Sequence, residues 1–180
     1  MTVMVDASGG GHVTIGRRLD SDPIEEARRQ WISHGWAQAA DGMATVTSIV
    51  RAHQILLQRI DVVLRPLDLT FARYEILMLL SFTKKGSLPM TRMGTLLQVH
   101  PTSVTSAVDR LEKQGFVERL PHPTDRRAVL ATITEAGRAR ALAATTALNA
   151  QVFQQLGVSD HQTTQVRTVL RTLRANAGDF

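Results

Sequence analysis

The chain contains no cysteine. That absence excludes a disulfide framework, a thiolate zinc cluster, a cysteine nucleophile and thiol-based redox sensing. Aromatic residues are scarce at 4%, so the core must be mainly aliphatic. No apolar run reaches the roughly 18 residues needed to cross a bilayer, and the opening lacks the basic flank and apolar segment of a secretion signal. A cytoplasmic location is the expectation. His12, His34, His53, His100, His122 and His161 are dispersed without metal-ligand spacing, and Gly9-Gly10-Gly11 neither follows a strand nor opens a helix. No nucleophile with its base and no paired-carboxylate cleft is legible, so the expectation is a protein without catalysis, metal or cofactor.

What is present is ordinary globular chemistry with a basic lean. A length of 180 residues suggests one domain of ordinary size or one domain with appendages, and hydrophobic residues at 43% with charged residues at 21% argue against disorder over most of the chain. Lys+Arg 21 against Asp+Glu 16 gives a net charge of +5, a balance that favours polyanionic partners.

Residues 1–21 carry no sustained period and read as a flexible leader. Asp22-Pro23-Ile24-Glu25 then offers an N-cap oxygen, a proline at the first helical position and a carboxylate at the positive helix end. After a break expected near Asp41-Gly42, Val46, Ile49, Val50, Leu56, Leu57, Ile60, Val63 and Leu64 recur at three-and-four spacing. That pattern predicts a helix from Met43 to Arg65, about 34 Å long, closed by Pro66. Thr70 caps the next helix, which carries Phe71, Tyr74, Ile76, Leu77, Leu79 and Leu80 on more than one face and is therefore central. A short helix from Met90 to Gln98 turns at Val99-His100-Pro101 into another from Pro101 to Gln114, ended by Gly115. Strand-forming residues follow at 116–120 and 129–134, separated by Pro121-His122-Pro123-Thr124-Asp125-Arg126-Arg127. The unit reads as a helix-turn-helix with a projecting basic wing. A long helix from Thr134-Glu135 towards Leu156 ends at Gly157, and Ser159 with Gln162 forms a capping-box pattern opening the last helix.

The resulting division is a leader at 1–21, N-terminal dimerisation helices at 22–65, a DNA-binding lobe at 66–134 and C-terminal dimerisation helices at 135–180. The fold class expected is mainly α with a small β-wing, as a homodimer, because the long amphipathic end helices need partners beyond a small central unit; the alternative is that they fold back over their own core. In the lobe, Thr102, Ser103, Thr105 and Ser106 occupy the early turns of the second helix, where short polar groups meet base edges. Val104, Ala107, Val108 and Leu111 should face inward. Arg110 is placed for phosphate contact, and Arg92 adds a cation on the preceding helix. Arg126 and Arg127 at the tip suit a narrow minor groove, with Asp125 beside them to orient a guanidinium.

These residues carry a resemblance. Ser103-Val104-Thr105, Asp109-Arg110-Leu111-Glu112-Lys113-Gln114-Gly115-Phe116-Val117 and the wing Asp125-Arg126-Arg127 with Leu130 and Ile133-Thr134 strongly resemble the MarR family of winged helix-turn-helix regulators. The resemblance implies an intertwined homodimer, joined through its N- and C-terminal helices, on palindromic promoter DNA, most often a repressor released by a small phenolic or anionic ligand. A ligand-independent, constitutive DNA-binding or architectural protein is the alternative. One branch, which this chain resembles in its extra N-terminal helix, responds to urate or related anions, and Trp36, Glu75 and Arg119 fall at matching positions. The recognition-helix arginine of that pattern is Ala107 here. For an effector at the junction between lobe and dimerisation helices, Trp36, Arg51, His53, Tyr74, Glu75 and Arg119 are candidate contacts, with Trp31 beside them.

Overall fold

The computed structural model describes residues 19–125 and 128–180. Asp22 accepts the Ile24 amide at 2.9 Å and starts α1 (Pro23–Ser33), with Pro23 at its first position. α2 (Ala37–Leu64) follows directly. The two are separated at 34–36 and not near Asp41-Gly42, as the sequence had suggested. The reason is backbone conformation: Gly35 sits at φ +87°, a left-handed turn that a side chain resists, whereas Gly42 lies within α2 with nothing near its missing Cβ. α1 packs back on the first half of α2, burying Ile24 and Ala40 and pairing Arg28 with Asp41 at 2.6 Å.

A 3-10 turn through Pro66 closes α2, and Thr70 caps α3 (Phe71–Ser81) by accepting the Arg73 amide. β1 (Ser87–Pro89) comes next; the sequence reading had no strand there. Three residues are too short to show alternation, and β1 exists because β3 pairs with it, setting Leu88 against Ala131. α4 (Met90–Leu97), α5 (Pro101–Lys113), β2 (Val117–Pro121) and β3 (Val129–Ile133) complete the lobe, with sheet order β1-β3-β2 and all pairs antiparallel. Pro121 ends β2 at the position where a missing N–H is tolerated, so the expected loop begins one residue later.

Thr134 caps α6 (Glu135–Leu148), after which the chain widens into a π-helical turn, Asn149–Phe153, in place of a continuous helix to Leu156. The Arg59 guanidinium from α2 donates to the carbonyls of Gln151 and Gln155 at 3.3 and 2.6 Å, satisfying oxygens freed by that irregular end. Ser159 and Gln162 close the expected capping box, and α7 (Asp160–Asn176) follows.

One aliphatic core joins the lower half of α2, α3, α4, α5, the sheet and α6. Leu64, Leu77, Leu80, Val108, Leu111, Ala131 and Leu148 are wholly buried in it. Each such leucine contributes about 1.5–3 kcal/mol relative to exposure. Gly137 is forced by close approach: a Cβ there would stand 2.1 Å from the Phe116 carbonyl oxygen. Tyr74, buried on α3, meets the Thr145 hydroxyl of α6 at 3.1 Å and ties the lobe to the C-terminal helices. α7 buries no residue, and among the described residues no helix is long and apolar enough to cross a membrane.

Candidate nucleic-acid interface

α5 is aimed by its apolar side. Val104, Val108 and Leu111 are buried at three-and-four spacing, which turns Thr102, Ser103, Ser106 and Arg110 outward. Ala107, expected inside, is half-buried at the margin. Thr102, Ser103, Ser106, Ala107 and Arg110 line an open concavity of about 550 Å³ together with Thr70 and Arg73 from the start of α3. Arg73 was missed in the sequence, where it reads as one more exposed helix cation. Its guanidinium is oriented by the Gln114 side-chain oxygen at 3.1 Å and by Thr70 at 3.3 Å, and Gln114 is itself held by Asp68. Only the tertiary fold brings α3 beside α5.

Thr105 lies on another side. Its hydroxyl returns to the Pro101 carbonyl at 3.1 Å, and it lines a second cavity of about 480 Å³ with Pro89, Met90, Thr91, Asp109, Arg119, Ala128 and Val129. This cavity lies between α4, α5 and the wing. Arg119 forms ion pairs with Asp109 and Glu112 and reaches the Thr105 carbonyl at 3.5 Å. Burial disfavours its charge, but the hydrogen bonds it donates to Asp109 and Glu112 outweigh that and hold its proton more firmly than usual.

Arg92 is exposed on α4. Arg126 and Arg127 lie outside the described residues; the turn before them is ordered by His122, whose Nδ1 accepts the amides of Thr124 and Asp125 at 3.3 and 3.1 Å. Asp125 is exposed, and its carbonyl accepts the Ala128 amide at 3.1 Å.

The remaining effector candidates are not gathered into one cavity. Trp36, 54% exposed before α2, stacks with His34 and meets Trp31 edge-on at 5.3 Å. Arg51 and His53 are exposed on α2. Tyr74 is committed to Thr145, and Glu75 is half-buried on α3, where burial pushes its carboxyl pKa up. Of the six, Arg119 alone lines either cavity described above. Among the described residues no group of His, Asp and Glu could hold a metal ion.

A short helix, a turn, a polar-faced helix and a β-wing on one aliphatic core define a winged helix-turn-helix protein. Comparison with known proteins gives the family. The MarR family model matches residues 69–129. Sco5413 of Streptomyces coelicolor, a MarR family transcriptional regulator, is 48% identical, with a TM-score of 0.72 over 78% of this chain and 97% of that one. The HTH-type transcriptional regulator YhbI of Bacillus subtilis is 31% identical over 106 residues, covering 57% of this chain and 68% of the relative. Sco3205 of Streptomyces coelicolor, solved in complex with DNA, shares the fold at 23% identity, with a TM-score of 0.67 over 76% of this chain and 88% of that one. The chain belongs to the MarR family of transcriptional regulators. It is thus a DNA-binding regulator and not an enzyme.

Proposed function

We propose that the chain acts as a homodimer that represses palindromic promoter sites and is released by a small phenolic or anionic ligand. The observation that carries the DNA half is the α5 face, where Thr102, Ser103, Ser106 and Arg110 share one open concavity with Arg73. In this reading the hydroxyls meet base edges while Arg110, Arg73 and Arg92 meet phosphates. Thr105 contributes from the side nearer the wing. Arg126 and Arg127 enter the minor groove, oriented by Asp125.

Dimerisation is supported by the apolar positions that one chain leaves uncovered: Val46 and Val50 on α2, and Val166, Val169 and Leu173 on α7. Residues 22–65 and 135–180 would then form the shared body and 66–134 the DNA lobe. The cavity between α5 and the wing supports ligand control, because a molecule seated there would press on both DNA-facing elements. Arg119 is its cation, already balanced by two carboxylates, so a ligand with an aromatic body suits it better than a bare ion.

Selection from a random duplex pool by the full chain is the test. Enrichment of inverted repeats with half-sites about 10–10.5 base pairs apart is the expected result, and no enrichment at low salt removes the reading. Arg110→Ala, which removes one phosphate contact from each subunit, should then reduce the magnitude of the salt slope by about 1.8 per dimer. A small aromatic carboxylate that displaces the chain from the selected duplex supports the effector; affinity that no such compound changes favours the constitutive alternative.

A further inference from the structure

We infer that His100 and His122 are positioning residues for DNA binding, each fixing one DNA-facing element through the Nδ1 lone pair of a neutral ring. The inference rests on the DNA-binding reading above and deepens it. His100 stands immediately before α5, where its Nδ1 accepts the Thr102 amide at 3.3 Å and lies 3.1 Å from the Thr102 hydroxyl. His122 stands at the base of the wing turn, where its Nδ1 accepts the amides of Thr124 and Asp125 at 3.3 and 3.1 Å. A backbone N–H only donates, so these contacts require an unprotonated Nδ1 and place the ring proton on Nε2.

The two sites use one device at the two places that matter. The first turn of a helix has amides without partners, and the side chain before it normally supplies an oxygen. Here the turn Val99-His100-Pro101 supplies an imidazole nitrogen instead, directly before Thr102 and Ser103. In the wing, the same nitrogen gathers the two amides that precede Arg126.

Protonation would turn either acceptor into a donor facing donors, and at His100 it would also set a cation at the positive end of α5. Losing such a cap weakens the element by about fivefold, whereas one added exposed cation strengthens contact with DNA by about twofold in screening salt. The lost acceptor therefore dominates, and acid should loosen binding. Asp125 shares the turn of His122, whose own amide donates to the Ala128 carbonyl. Near His100, the Gln98 side-chain Nε2 donates to the Asp179 carbonyl at 3.3 Å, and the Asp179 carboxylate pairs with Arg174. Asparagine at either position keeps an acceptor oxygen at the place of Nδ1 and does not titrate.

The experiment has two parts. In the full-length chain without DNA, long-range nitrogen–proton spectra at pH 7.5 should show both rings protonated at Nε2; an Nδ1–H ring at either position overturns the inference. Binding to a duplex selected by the wild type is then measured at pH 7.5 and 5.5 in fixed salt, with melting curves for each variant. At pH 7.5, H100N/H122N should bind within about twofold of wild type and H100A/H122A at least about tenfold more weakly. On lowering the pH, wild type should lose about fivefold or more relative to H100N/H122N. Coincident pH curves, or an alanine variant as tight as wild type, sink the positioning role alone. Failure to select any duplex removes the DNA-binding reading and takes this inference with it, whatever tautomers the spectra show.

Discussion

The winged lobe and the terminal helices solve the same problem in opposite ways. Between Leu64 and Leu148 the apolar stripes meet one another within the chain, leaving Leu77, Leu80, Val108 and Leu111 wholly buried. In α7 the stripe meets nothing: Val166, Val169 and Leu173 are more than half exposed, and no residue of that helix is buried. Amphipathic periodicity is equally clear in both regions, so periodicity tells that a face must be covered but not by whom. The lobe covers its faces with its own sheet and helices. The terminal helices are left for a second copy in the proposed homodimer.

That contrast breaks most sharply at α7. Val169→Glu places a charge on the bare stripe twice in a symmetric dimer, and an unpaired buried charge costs about 3 kcal/mol each time. Sedimentation should show dissociation into single chains with the lobe still folded; a variant that sediments like wild type would mean the stripe is not an interface. Leu77→Ala acts on the other region. It should cost about 2–5 kcal/mol in denaturant unfolding, with no dependence on protein concentration beyond that of wild type. Loss of the dimer at unchanged lobe stability would reverse the assignment of the two regions.

The smallest effect concerns Glu75, half-buried on α3, whose pKa burial raises. A carboxyl that is harder to ionise in the fold than in the open chain stabilises the fold while protonated. That contribution is complete below the open-chain value and is lost as pH rises through the raised one. Glu75→Gln should therefore raise the thermal midpoint slightly at pH 7, with the gain shrinking as pH falls through that window. A midpoint difference that does not change with pH would mean that Glu75 is solvated like a surface acid.

Much of the proposed DNA face was legible because its chemistry is local. Val104, Val108 and Leu111 fix which side of α5 is buried, so Thr102, Ser103, Ser106 and Arg110 could be placed outside before any fold was known. The caps at Asp22, Thr70 and Ser159 were legible for the same reason, since a side chain two or three residues away does the bonding. The helix break at Gly35 was missed because Asp41-Gly42 offers a glycine too, with a turn-forming aspartate before it, and only the backbone tells a left-handed glycine from a helical one. β1 and the contribution of Arg73 were missed because each depends on an element far along the chain. Arg119 shows the limit from the other side: its position suggested an anion anchor, but two carboxylates already occupy its guanidinium.

Order and type of nearly every element were written in spacing, caps and turn residues, because hydrogen bonding and rotamer preference act within a few residues. Which elements meet was left to packing, since Arg59 reaching the carbonyls of Gln151 and Gln155, or Gly137 beneath Phe116, requires the whole core to have closed.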